Sequence, residues 1–461
     1  MTPLWQFGAT QLAAGFAAGA FTPVEALQSC LARCQDINPA LNALIFTDAE
    51  GAMQAAAGSG ERWRAGRPAS PLDGVPVTIK DNLHVQGWPT QWGSRALAGL
   101  VAKRDELPVA RLREAGLVLF GKTNVPEFTM QGYTDNLVFG PTRNPWNLDL
   151  TPGGSSGGAA ALVAAGGCPL ALGTDGGGSI RRPASHTNTV GFKPSRGRVP
   201  RSGGLPPIFL EFEVAAPLAR NVEDVSALMR IIGGEAPADL ASGPYRILHI
   251  PQFGEHPVDP AIAALTERAA GHFAGLGHRV VRASAFDLAE EVNRLWPLLS
   301  QIGLAWLAAH PQELAQPAFD TALFGPAMQA NLEAGRQLSA QSLFDLLLEI
   351  GRLKNRLSAL FEDYDFLLTP AAAALPWPAT QTHPHTIGGR EAGPRGHAVF
   401  AAFANAAGLP AIALPCGFAQ GLPVGLQLLA QEGRDEALLA LAGRYQQAHS
   451  WASFPIWQGT T

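Results

Sequence analysis

The chain has 461 residues, 47% of them hydrophobic and 15% charged, and a formal net charge of -5. Apolar content at the globular average with few charges implies much buried surface and excludes a largely disordered chain. The small negative charge and the absence of any dense Lys/Arg run leave no electrostatic footprint for nucleic acid, so no such partner is expected.

Four cysteines, Cys30, Cys34, Cys168 and Cys416, are too scattered for a disulfide framework, and no CxxC pair suggests zinc or thioredoxin chemistry. Cys30 and Cys34 share a helix face and read as small core residues. The first 24 residues carry no charge, which superficially suggests a secretory leader, yet the basic segment of a leader is missing and Gly15 and Gly19 interrupt the apolar stretch. A cytoplasmic location is therefore expected. The apolar run 157–173 is shorter than the ~20 residues of a membrane span. It reads as a buried helix followed by a strand, and no membrane partner is expected.

In chain order, Thr22, Pro23 and Glu25 open a helix as cap, first helical residue and third-position acid. Strands are predicted at Val75–Lys80 and Leu117–Lys122, with a helix at Glu106–Ala115 between them. Ala159–Ala165 reads as helix, Pro169–Gly173 as extended and Asn221–Ile232 as helix. Strands at Arg246–Ile250 and Arg279–Arg282 flank a helix near 259–275. From about 286 to 363 the spacing of Leu, Ile and Phe is helical throughout, an excursion that would form a wall or lid. Strands return at Asp365–Thr369, Ala411–Pro415 and Gly425–Ala430, and the Gly/Pro-rich loop 378–397 is the segment expected to be most mobile. This alternation predicts an α/β fold, with the sheet covered by helices on both faces. The only stretch that could serve as an interdomain linker is the polar run Gly58–Ser70.

Residues 151–195 hold two glycine-caged serine clusters, GGSSGG at 153–158 and DGGGS at 175–179, among eleven glycines. Glycine costs a folded element roughly 0.5–1 kcal/mol relative to alanine, so this density needs a backbone reason such as exposed amides. Hydrolysis of an unactivated acyl bond needs a nucleophile, a base, an acid for the leaving group and donors for the oxyanion. With Ser179 as nucleophile, the amides of Gly176, Gly177, Gly178 and Ser179 could supply the donors; on its own the motif is equally a glycine-rich turn. GGSSGG precedes a helix as a phosphate loop would, but it lacks the G-K-[ST] ending and the GxGxxG spacing. No histidine has a triad context; His186 reads as a packed or pocket-lining residue. Lys80, at the end of its strand in GVPVTIKDN, is the other candidate base.

GVPVTIKDNLHVQGWPTQWGS (74–94), TPGGSSGGAAALVAAG (151–166) and LALGTDGGGSIRRPASHTNTVGFKPSRGRV (170–199) resemble the amidase signature family. The spacings fit, with 75 residues from Lys80 to Ser155 and 24 from Ser155 to Ser179. Weaker family-like pieces are GKTNVPEF (121–128), FGPTRNPWN (139–147), YDFLLTP (364–370), NAAGLPAIALPCG (405–417) and GLPVGLQLLA (421–430). The resemblance implies one domain over 1–461 with its signature core at about 74–200 and a large twisted mixed sheet in an α/β/α sandwich. It also implies a Ser-cisSer-Lys triad: Ser179 as nucleophile, Ser155 as bridge on a cis peptide after Gly154, and Lys80 as ultimate base. Lys80 must then be buried to lose its proton near pH 7, with Ser156 and backbone carbonyls as hydrogen-bond partners. Asp175 and Arg181 would pin the nucleophile loop, in a structural or a catalytic role.

Relatives carry a β-branched residue where this chain has Gly176, and aromatic or cysteine residues at His186 and Thr187. By position, Thr129, Met130 and Tyr133 approach the acyl site, while Trp377 and residues around Phe400 wall it. No cofactor or metal is called for, and a monomer or homodimer acting on a small-molecule amide is expected. The leading activity is amide hydrolysis, with anilides, esters and carbamates open to the same relay. The rival is the glutamine-hydrolysing A subunit of an aminoacyl-tRNA amidotransferase, against which IFLEFEVAAPLAR (208–220) differs from the SSLDQIGP-like segment expected there. A catalytically silent scaffold is disfavoured by the presence of Lys80, Ser155 and Ser179 together.

Overall fold

A computed structural model describes residues 2–234, 243–314, 319–451 and 454–455. Its strands are β1 (Leu44–Thr47), β2 (Pro76–Lys80), β3 (Val118–Thr123), β4 (Leu170–Asp175), β5 (Val190–Lys193), β6 (Val214–Ala219), β7 (Arg246–His249), β8 (Arg279–Arg282), β9 (Phe366–Pro370), β10 (Thr386–Ile387), β11 (Arg390–Glu391), β12 (Ala411–Ala419) and β13 (Leu422–Ala430). Eleven of them form one sheet in the order β1-β3-β2-β4-β6-β5-β12-β13-β9-β7-β8, and β10 and β11 make a separate hairpin. Pairing is parallel for β3-β2-β4 and for β9-β7-β8, and antiparallel across the centre.

Successive strand residues point to opposite faces, and here both faces are apolar. In β4, Leu170 and Leu172 join the cluster built with the helices Val222–Gly233 and Asp435–Ala448. Ala171 between them joins a different cluster, with the helices Pro23–Leu41 and Gly157–Ala164. In β9, Phe366 and Leu368 face the first cluster, whereas Leu367 meets the helices Glu290–Ala309 and Ala340–Asp363. A sheet buried on both sides reads as continuous apolar runs, which is why its strands were legible without alternation. The result is a mixed sheet sandwiched between helical layers.

Local chemistry sets the element ends. Thr22 accepts from the Glu25 amide at 3.2 Å while Glu25 accepts from the Thr22 amide at 2.7 Å, and Pro23 takes the first helical position. This reciprocal box satisfies donors that the first turn leaves unpaired. Cys30 and Cys34 lie buried on that helix as free thiols.

Three strands of the sheet, and both strands of the β10–β11 hairpin inside the predicted loop 378–397, escaped the sequence pattern. β1 and β5 have only four residues each, and β6 (VAAPLA) is rich in alanine with a proline inside, a poor intrinsic strand sequence. Tertiary burial makes them strands. The polar run Gly58–Ser70 is no linker: its first half completes the helix Ala49–Arg64, with Ser59 fully buried. The 286–363 excursion comprises the helices Glu290–Ala309, Pro326–Gln337 and Ala340–Asp363, apart from residues 315–318, which lie outside the described residues. Among the described residues no helix is long and apolar enough to cross a membrane.

Phe192 on β5 is fully buried in the cluster under the Val222–Gly233 helix. Phe192→Ala is expected to cost about 3–5 kcal/mol of stability, read as a fall in the urea midpoint with unchanged slope. A loss below about 1 kcal/mol would contradict this packing.

Candidate active site

Lys80 closes β2 and Asp175 closes β4, its parallel neighbour, so both emerge at the same edge of the sheet. The carboxyl end of parallel strands is where α/β folds place their sites. The two serine clusters meet there. Residues 153–156 lead into the buried helix Gly157–Ala164, and residues 176–180 into the helix Arg181–Thr187. The Ser156 amide donates to the Ser179 carbonyl at 3.0 Å, tying one loop to the other. The Gly154–Ser155 peptide is cis, and a Cβ on Gly154 would come within 2.3 Å of the Tyr133 carbonyl oxygen.

Lys80 is fully buried, and its Nζ lies 2.7 Å from Ser155 Oγ, 2.9 Å from Thr174 Oγ1 and 3.2 Å from the Thr174 carbonyl. Burial brings its pKa down to about 7, against the opposing pull of Glu213 and Asp175. Ser156, expected as a partner of Lys80, instead donates to the Thr174 carbonyl at 3.1 Å. Ser179 is 7% exposed on the cavity wall, and its hydroxyl makes no hydrogen bond with Ser155 or any other described residue. Contacts of this kind commonly tighten only when substrate is bound.

Asp175 and Arg181 are both wholly buried, with Arg181 Nε 3.0 Å from Oδ2 and Nη2 2.9 Å from Oδ1. Burial pushes the Asp175 carboxyl up, but the charge and hydrogen bonds of Arg181, with Lys193 and the Gly178 amide, hold it well below the usual carboxylate range. Arg181 also donates to Gln427 and Asn405 at 2.6 Å each, and Asn405 returns a bond to the Asp175 carbonyl at 2.8 Å. Through these bonds the ion pair ties the start of the nucleophile loop to β13 and to Asn405.

That carboxylate corrects the expected set of oxyanion donors. The Gly178 amide points to Asp175 Oδ1 at 2.7 Å, with Gly177 beside it at 3.2 Å, so these amides are turned inward. The amides of Gly176 and Ser179 have no partner among the described residues. Gly178 has φ +94°, which explains its lack of a side chain independently of any oxyanion role.

A cavity of about 850 Å³ opens at Ser179, lined by Thr129, Met130, Gly176, Gly177, Arg182 and Trp296 among others. Thr129 and Met130 thus lie where sequence position put them. Tyr133, His186, Trp377 and Phe400 do not line it. The Tyr133 backbone packs on Gly154, and Phe400 is fully buried against Phe253, ring centroids 4.8 Å apart. Trp377 stands behind the wall, 4.7 Å from the ring of His397 and edge-on to His186. Burial lowers the pKa of His186 to about 4 against its bond to the Ala374 carbonyl, so it is a neutral packed residue, not a base at pH 7.

Sequence reasoning missed Glu213, which accepts from Thr174 Oγ1 at 2.9 Å and is held by Arg201 at 2.8 Å. It stands just before β6, a strand with no sequence signal. Asn405 was within reach, since it opens the family-like piece NAAGLPAIALPCG.

A family model described as Amidase matches residues 25–439. The chain is 33% identical to the A subunit of the glutamyl-tRNA(Gln) amidotransferase of Salinispora arenicola, over 97% of this chain and 98% of that protein. Among solved structures it resembles a bacterial aryl acylamidase of the amidase signature family (TM-score 0.89, 30% identity, 98% of each chain). It also resembles a 6-aminohexanoate cyclic dimer hydrolase complexed with substrate (TM-score 0.87, 28% identity, 97% of this chain and 98% of that one). The chain belongs to the amidase signature family of enzymes acting on carbon-nitrogen bonds.

Proposed function

We propose that this chain is an amidohydrolase that cleaves linear amides through Ser179, Ser155 and Lys80. The observation that carries the reading is the 2.7 Å contact between Lys80 Nζ and Ser155 Oγ, inside a pocket that lowers the lysine pKa to about 7. A lysine of ordinary pKa, about 10.4, would be almost wholly protonated at neutral pH and useless as a base. In its neutral form Lys80 accepts the Ser155 proton, Ser155 takes that of Ser179, and Ser179 attacks the substrate carbonyl. The amides of Gly176 and Ser179 face the developing oxyanion. Ser155 then returns a proton to the leaving nitrogen, which an amide needs because its anion leaves poorly. Water reverses the relay to release the acid. Anilides, esters and carbamates have the same electrophilic carbon and fall within reach of this relay. We place the enzyme in the cytoplasm, as a monomer or homodimer.

A second reading has a specific observation behind it, the likeness to amidotransferase A subunits over nearly the whole chain. Against it, the segment 208–220 departs from the sequence expected of those subunits, and it is this segment that brings Glu213 to the Lys80 network. Glutamine among the assayed amides separates the two: turnover of glutamine in preference to other amides would favour the amidotransferase reading.

Ser179→Ala is expected to abolish amide turnover, by about 10⁴-fold or more, with the circular dichroism spectrum unchanged. Lys80→Ala should cost about 10²–10⁴-fold. Retained turnover or retained fluorophosphonate labelling in Ser179→Ala would sink the assignment.

The pH profile supplies an independent check. The active form has Lys80 deprotonated, so kcat/KM for an amide should rise as pH climbs through about 7. Glu213 helps hold the proton on Lys80, so Glu213→Gln should move this rising limb to lower pH. A limb that stays in place or moves up contradicts the lysine assignment.

A further inference from the structure

Three carboxylates line the cavity, and each has a basic side chain in contact: Glu213 with Arg201 at 2.8 Å, Glu290 with His256 at 3.0 Å and Glu291 with Arg294 at 2.5 Å. Two lining guanidinium groups, Arg182 and Arg395, have no carboxylate within ion-pair distance among the described residues. The nearby Asp175 is already taken by Arg181. Arg182 is 4% exposed; its Nη1 and Nη2 donate to the Gly177 and Gly154 carbonyls at 2.5 and 3.1 Å, and its Nε has no partner. Those two bonds fix the guanidinium between the serine loops. His397, 3% exposed on the same wall, has neither ring nitrogen hydrogen-bonded.

The three groups sense one another. Burial, and next the charge of Arg395, lowers the pKa of Arg182. Burial, followed by Arg182 and Arg395, holds His397 well below its ordinary value, so it is neutral and its N–H can donate. A guanidinium keeps its charge in proteins, so two positive charges, Arg182 buried and Arg395 partly exposed, face the cavity with no carboxylate in contact with either among the described residues. Burying charge without a partner is costly, and a bound anion would relieve that cost.

We propose that Arg395, Arg182 and His397 form a carboxylate-binding subsite beside Ser179, and that the preferred substrates are amides carrying a carboxylate elsewhere in the molecule. The planar forks of arginine match a carboxylate in bidentate geometry. The cavity, about 850 Å³, has room for such a substrate beyond the reacting amide. The inference rests on Ser179-dependent amide hydrolysis and specifies its substrate class.

The test compares adipamate with hexanamide, equal in chain length and differing in the terminal carboxylate, on the intact protein. The wild type should favour adipamate by about tenfold or more in kcat/KM, chiefly through KM. Arg395→Gln should collapse that ratio to near one, and Arg395→Glu should turn the preference toward 6-aminohexanamide. If these variants fail to fold, competition in the wild type replaces them: glutarate should inhibit hexanamide turnover about tenfold more strongly than pentanamide does. Equal use of adipamate and hexanamide, a preference that survives in Arg395→Gln, or equal inhibition by the two competitors overturns the subsite while leaving the amidase reading intact. Failure to hydrolyse any amide, with no fluorophosphonate label on Ser179, overturns both.

Discussion

The desolvation of a single lysine governs the chemistry of this protein. Lys80 sits at the end of a central strand with no exposure, and two of its three polar contacts come from the Thr174 side chain and carbonyl. No carboxylate touches it: Glu213 is reached only through the Thr174 hydroxyl. Lys122, another buried lysine at this end of the sheet, does touch one: Asp81 lies 3.1 Å away and opposes the lowering that burial imposes on the Lys122 pKa. Two buried lysines on adjacent strands therefore differ in what each can do, and the difference is the presence of a contacting carboxylate.

The nucleophile loop depends on a second arrangement. Asp175 gathers the amides of Gly177, Gly178 and Ile180, and Arg181 neutralises it. Gln427 on β13 and Asn405 brace Arg181 from the opposite side. A buried pair of this kind is weak evidence for net stability but strongly constrains geometry, because losing one partner strands a buried charge. The loop that presents Ser179 is thus held both by its own Asp175 and Arg181 and by Gln427 and Asn405 from distant elements.

The serine clusters, the strand-end lysine and the spacing between them were legible because each lies in a short local motif. The oxyanion donors were only half legible. A run of glycines suggests free amides, but whether an amide faces out or turns to Asp175 depends on loop torsion that composition does not encode. Glu213 and Arg395 were invisible for another reason: one sits just before a strand of alanine and proline, the other on the loop that follows β11. Phe400 and Trp377 were placed in the right neighbourhood but on the wrong layer, since apolar size alone does not separate a cavity wall from the packing behind it. At Gly176, Glu213 and Phe209 stand 3.4–3.5 Å from where a Cβ would lie, ordinary van der Waals contact, so packing at the Cβ does not itself require glycine there.

Direct titration of the Lys80 ammonium by NMR on selectively ¹³C/¹⁵N-lysine-labelled protein addresses the central claim. Lys193 is also buried and lowered to about 7, so the Lys80 signal must be assigned as the one lost in Lys80→Met. The account predicts that this signal titrates near 7 in the wild type. A Lys80 that stays protonated up to its ordinary range, about 10, would contradict it.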